Sequence, residues 1–148
     1  MLPGQFLRRL PAAVRPHLPT ETGLHVQPRG QLCKIWYGGD GNVHYEVWAH
    51  ERMQQLELGL HCEASAAYNA DIRRQLGFYL FDIKLALGNQ VELEDWDHGW
   101  VRLYETHPLQ PLDEPRLEAF AQRVGAFVTV VEPIHAAIRA ALQAEGAH

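Results

Sequence analysis

The stretch from Asn42 to Glu63 constrains this chain more than any other. It reads Asn-Val-His-Tyr-Glu-Val-Trp-Ala-His, a polar turn of Glu51, Arg52 and Met53, then Gln-Gln-Leu-Glu-Leu-Gly-Leu-His-Cys-Glu. Both arms alternate with period two, the mark of strands that bury one face. Val43, Tyr45, Val47 and Ala49 share one side of the first arm, and His44, Glu46, Trp48 and His50 the other. In the second arm Leu56, Leu58, Leu60 and Cys62 oppose Glu57, Gly59, His61 and Glu63. A short turn joins the arms, so they form an antiparallel hairpin.

The flanking segments extend this pattern. Gln31 to Tyr37 reads as a strand that reverses through Gly38-Gly39-Asp40-Gly41, residues that tolerate positive φ. That loop lacks the Lys-Ser/Thr of a phosphate loop and joins two strands rather than opening a helix, so a turn is the reading. Ser65 to Leu87 is predicted helical: Ile72, Leu76, Tyr79, Ile83 and Leu87 draw one apolar stripe, which Leu80 widens, and Gly88 is placed to end it. Gln90–Trp96 and Gly99–His107 form a second hairpin across Asp97-His98. Asp113 caps a final helix with Pro115 in its first turn. Leu117, Phe120, Val124, Phe127, Val128 and Val131 give it a buried side, and Pro133 is expected to kink or split it before a last piece with Ile138 and Leu142. Near the start, Phe6, Leu7, Leu10 and Val14 suggest an amphipathic helix that Pro11 and Pro16 interrupt. Thr20 to Gly30 reads as a connector, with at most a brief extended piece at Leu24–Val26.

The expected fold is therefore α+β, a single domain over 1–148 with an N-terminal helical arm and connector (1–30) and a core (31–145). The predicted order is α-βββ-α-ββ-α, one five-stranded antiparallel sheet with helices packed on one face. A chain of 148 residues, 47% apolar and 21% charged, buries a core without staples. Its net charge of -5 argues against neutralising a phosphate backbone, so no nucleic-acid partner is expected. No stretch approaches 18 consecutive apolar residues and no signal peptide is recognisable, so no membrane partner is expected and the cytoplasm is the expected compartment. Lys is scarce beside Arg, and Ala and Leu abound, a composition that suggests a bacterial source. The two cysteines, Cys33 and Cys62, have core parity and read as reduced thiols.

In this order of elements, with the hairpin Asn42–Glu63, the helix Ser65–Leu87, the hairpin Gln90–His107 and the closing helix, the chain resembles the type III secretion chaperone-like fold. It also resembles a small bacterial domain of unknown function attached to putative restriction endonucleases. The likeness lies in topology and pattern rather than in a motif, so no site residue is carried over. It implies a small acidic dimer that binds a partner polypeptide.

Strand parity places Trp36, Trp48, Trp96, Trp100, Arg102 and Tyr104 on the face opposite the core, with Lys34, His44, Glu46, His50, Glu57, His61, Glu63, Glu92 and Glu94. Aromatics mixed with charges on a face turned away from the core suggest a contact surface, and Trp and Arg dominate binding energy at interfaces. The first functional reading is a non-enzymatic protein- or peptide-binding module, chaperone- or adaptor-like, working as a homodimer without a cofactor through those six residues. The second is a metal-dependent enzyme or small-ligand-binding protein using His44, Glu46, His61 and Glu63, the residue types that hold divalent ions. His44-x-Glu46 and His61-x-Glu63 each set two such side chains on one strand face, although solvated strands produce that spacing too. Glu92 or Glu94 is expected to pair with Arg102 across strands, while His25, His98 and His107 are expected in solvent. Nucleophilic catalysis is disfavoured: Ser65 is placed as a helix cap, and both thiols have the parity of buried positions.

Overall fold

The computed structural model describes residues 1–146. In chain order it comprises α1 (Pro3–Val14), β1 (Leu24–Arg29), β2 (Leu32–Tyr37), β3 (Val43–His50), β4 (Gln55–Cys62), α2 (Ala66–Leu87), β5 (Glu92–Asp95), β6 (Val101–Pro108) and α3 (Glu114–Gly146). All neighbouring strands are antiparallel, in the order β1-β2-β3-β4-β6-β5. The α+β class with an antiparallel sheet is as expected, but the sheet has six strands rather than five.

The additional strand is β1, which falls in the segment read as a connector. Pro28 lies inside it, opposite Cys33. A proline cannot donate to a strand ladder, and an edge strand is where that loss is tolerated. Pro11 and Pro133 also fail to break their helices. Both α1 and α3 run continuously through them, and α1 passes into a short 3-10 turn at Arg15–His17.

The hairpin registers follow from the alternation. Tyr45 faces Leu60, Val47 faces Leu58 and Ala49 faces Leu56 across β3 and β4. These side chains, with Cys33 and Ile35 of β2 and Leu103 of β6, are buried against the helices. Phe127 of α3 meets the Tyr45 ring edge-on, and Phe6 of α1 packs near Phe120. By length and composition α3 is apolar enough to cross a membrane, yet its apolar stripe, from Leu117 to Leu142, lies in this core. Ser65 caps α2 by accepting the Tyr68 N–H at 3.2 Å, and Asp113 accepts the Arg116 N–H at 2.9 Å at the start of α3.

Two polar fixtures hold the helical layer. Asn69 of α2, fully buried, donates to the carbonyls of Ala64 and Gly99 and accepts from the Ala64 N–H, which ties the start of α2 to the turn before β6. Arg123 of α3 donates to both oxygens of Glu105 on β6 and to the Leu87 carbonyl at the end of α2. Glu105 has core parity, and Arg123, with His107 on its own strand, makes its burial tolerable.

Candidate functional site

The face of the sheet turned away from the helices is polar at its centre and aromatic at its rim. β3 contributes His44 and Glu46, and β4 contributes Glu57, His61 and, just beyond its end, Glu63. His44 and His61 are cross-strand partners, and Glu46 lies opposite Gly59. A Cβ on Gly59 would stand 2.7 Å from both the Leu103 carbonyl oxygen and the Tyr104 Cβ, so only glycine fits between Glu57 and His61. Sequence parity gives these side chains an open face. In the structure His44 and Glu57 are 1% exposed, and Glu46 and His61 are 5% exposed.

Carboxylates and imidazoles are packed closely enough to share cations. His44 Nδ1 is 2.8 Å from the Gly41 carbonyl oxygen, which can only accept, so that nitrogen carries the hydrogen. His44 Nε2 is then turned to Glu46 Oε1 at 3.2 Å and Glu63 Oε2 at 4.0 Å. In the neutral ring Nε2 presents a lone pair to two carboxylates, three acceptors that need a proton or a metal cation among them. His61 Nε2 bonds Glu57 Oε2 at 2.7 Å and lies 3.7 Å from Glu46 Oε2, while its Nδ1 is 3.5 Å from Glu63 Oε2. Arg102 pairs with Glu57 and donates to Glu94 at 2.8 Å, which meets the expectation that it pairs with a neighbouring glutamate.

The electrostatics follow from these neighbours. Burial disfavours a charged His61 ring, but its bond to Glu57 and the adjacent Glu63 and Glu46 outweigh that, pushing it up to about 9. Burial would raise the Glu57 and Glu63 carboxyls as well. His61, with Arg102 beside the first and His44 and Lys34 beside the second, holds both below the usual carboxylate range.

Among the described residues, two sets of three bring potential ligand atoms within 4.8 Å of one another: His44, Glu46 and Glu63, and Glu46, Glu57 and His61. In the second, Glu57 is already engaged by Arg102 and His61. The first is freer. About a tetrahedral zinc with bonds near 2.0–2.2 Å, ligand atoms sit roughly 3.3 Å apart, close to the His44–Glu46 separation and a short closure from the His44–Glu63 one.

The six residues expected to form a contact surface are distributed around this centre. All four tryptophans are half-buried rather than open. Trp36 stacks on His25 with centroids 4.7 Å apart, and Trp48 lies over His50 at 3.7 Å. The Arg102 guanidinium sits 3.9 Å from the Trp96 ring centroid and 3.8 Å from that of Tyr104, so both rings hold it by cation–π contact. Trp100 is nearest His98, 5.3 Å between centroids. Trp36, Trp48, Trp96 and Tyr104 thus have intramolecular partners, and Arg102 is buried.

The sequence places Glu57 on this face beside Glu46, but identifies it neither as the partner of Arg102 nor as the link from Arg102 to His61. Its parity was the available signal. His107, expected in solvent, instead pairs with Glu105 and meets Phe120 edge-on. Cys33 and Cys62 are buried and free, and burial pushes both thiols up to about 12, so neither is a nucleophile. No protein-family model, curated protein or solved structure matches this chain, so the chemistry of the site is read from its own residues.

Proposed function

We propose that this chain binds a divalent transition-metal ion through His44, Glu46 and Glu63 and presents its open coordination position to a small ligand within the tryptophan rim. The observation that carries the reading is the convergence of His44 Nε2 on two carboxylates while its Nδ1 is committed to a backbone carbonyl. A carbonyl behind a metal-binding imidazole fixes its tautomer and orientation. One imidazole and two carboxylates suit zinc, with manganese and iron(II) as competitors, and three protein ligands leave room for a fourth. Glu57, His61 and Arg102 form the hydrogen-bonded wall beside that position. Elemental analysis of the untagged protein and calorimetric zinc titration test the proposal. One equivalent per chain is expected, with affinity lowered by about tenfold or more in His44→Ala and Glu63→Gln, since each removes a ligand. A protein that purifies metal-free and shows no heat with zinc, manganese or iron(II) overturns it.

A second reading concerns self-association, and one observation on α2 favours it. Phe78, Phe81 and Leu85 are 74%, 72% and 71% exposed along one line of the helix. Such a contiguous apolar line is what protein contacts cover. Two copies of α2 crossed antiparallel about Phe78 would set Arg74 of each opposite Asp82 of the other, and Gly77 leaves room for the close approach. The occupant proposed is therefore a second copy of this chain, on α2 rather than on the tryptophan face. Light scattering should give twice the chain mass, falling to one in Phe78→Ser/Phe81→Ser. A monomeric wild-type chain ends this reading.

A further inference from the structure

On the opposite side of β3 from the histidine–glutamate centre, a half-open cleft of about 520 Å³ lies between the Gly38–Asn42 loop, the start of α2 and the last turns of α3. That is the size of small-molecule sites. The cleft shares Trp36 and Gly41 with the site described above but none of its histidines or glutamates. Its floor is Glu132, 2% exposed, in the apolar stripe of α3. Glu132 Oε2 accepts from the Tyr45 hydroxyl at 2.6 Å. Glu132 Oε1 and His135 Nδ1 are buried yet make no hydrogen bond among the described residues, although His135 Nδ1 lies 3.5 Å from the other Glu132 oxygen, Oε2. Arg139, one turn further along α3 and partly exposed, brings its guanidinium to 4.0 Å from Glu132 Oε1. Tyr37, Tyr68 and Trp36 supply aromatic walls.

A buried carboxylate oxygen without a donor is costly, so Glu132 Oε1 calls for a partner in the cleft. Burial would raise the Glu132 carboxyl, but His135, Tyr45 and Arg139 outweigh it and hold it below the usual range, so the floor is anionic. The cleft therefore offers an anion at its base, a cation about 4 Å away towards its mouth, and aromatic surface around them. We infer that this cleft binds a small zwitterion of the α-amino-acid class, its ammonium on Glu132 Oε1, its carboxylate on Arg139 and its side chain against Tyr37 and Tyr68. A ligand with only an amine would leave Arg139 beside it as a like charge, and one with only a carboxylate would face Glu132. The two charges on adjacent groups of one molecule match the two charges of the site.

The test uses the full chain, metal-free, with the standard L-amino acids as probes. Saturation-transfer NMR at millimolar concentration is expected to pick out at least one, and calorimetry then compares it with its deaminated and decarboxylated analogues. Each analogue should bind about tenfold more weakly or worse, the loss of one charge-assisted contact. Arg139→Leu, at the mouth, should remove the preference over the decarboxylated analogue, and Glu132→Gln the preference over the deaminated one. Should Glu132→Gln fail to fold, the analogues and Arg139→Leu still decide. No binding by any amino acid, or equal binding of the single-charge analogues, overturns the inference.

Discussion

The imidazoles of His44 and His61 lie across the β3–β4 pair with ring centroids 5.9 Å apart and planes 13° from parallel. Their duties differ. His44 has one hydrogen bond to the Gly41 carbonyl and one contact to Glu46, whereas His61 is the cationic link among Glu46, Glu57 and Glu63. In the metal-free protein, His61→Ala is expected to cost about 3 kcal/mol, because it leaves buried carboxylates uncompensated. His44→Ala should cost about 2 kcal/mol, because it leaves the Gly41 carbonyl without its donor and opens the packing against Glu46. Urea unfolding measures both. With zinc at a hundred times its dissociation constant, the wild type should gain about 2.7 kcal/mol, and His44→Ala should gain far less.

Glu105 and Arg123 predict an acid-sensitive core. Burial would raise the Glu105 carboxyl, but its bonds to His107 and Arg123 prevail and lower it from the ordinary value of 4.5. A group lowered in the folded state contributes stability in full above its unfolded value and loses it as pH falls through the folded one. Arg123→Ala should therefore cost about 3 kcal/mol at neutral pH, where it strands a buried carboxylate. The gap between variant and wild type should narrow in acid, once Glu105 is protonated in both. Urea midpoints collected across the acidic range give the comparison.

Two glycines should respond to alanine in opposite directions. At Gly59 the added Cβ meets the backbone of β6 at Leu103 and Tyr104, which a rotamer change cannot relieve. Gly59→Ala should cost about 1–3 kcal/mol through strain and disturb the near-ultraviolet signal of the neighbouring aromatics. Gly77 lies in α2 with open space where its Cβ would be. In the Phe78→Ser/Phe81→Ser background, where no second copy can pack on α2, Gly77→Ala should stabilise by about 0.5–1 kcal/mol, since alanine loses less backbone freedom on forming helix.

The alternation in β3 and β4 was enough to read the hairpin and the shared face of His44, Glu46 and His61, because strand parity depends only on neighbours in sequence. Only the first half of β1, Leu24–Val26, was legible as an extended piece, because Pro28 and the glycines around it are breakers everywhere except at an edge, and edge position is decided by the whole sheet. Glu132 and His135 escaped for another reason. They interrupt the apolar stripe of α3, and a periodicity count discards such residues, though a charge at a core position is itself a signal. The depth of Glu57 and His61 was equally illegible. Parity says which way a side chain points, not that Arg102, held between Trp96 and Tyr104, closes over Glu57 from the next strand.

The thiols give the last prediction, and it tests burial on both central and flanking strands. Cys33 on β2 and Cys62 at the end of β4 are fully buried, and with ionisation pushed up to about 12 neither yields thiolate near neutral pH. Reaction with a thiol reagent requires both access and the thiolate. The native protein should therefore label negligibly at mildly alkaline pH, and both cysteines should react at once in guanidinium. Labelling should also report unfolding: Arg123→Ala and His61→Ala should speed it by increasing the open population, whereas Phe78→Ser, on exposed helix surface, should leave it unchanged. Rapid modification of Cys62 in the folded wild type would mean that the β4 end opens locally, which the deep packing of His44 and His61 beside it opposes.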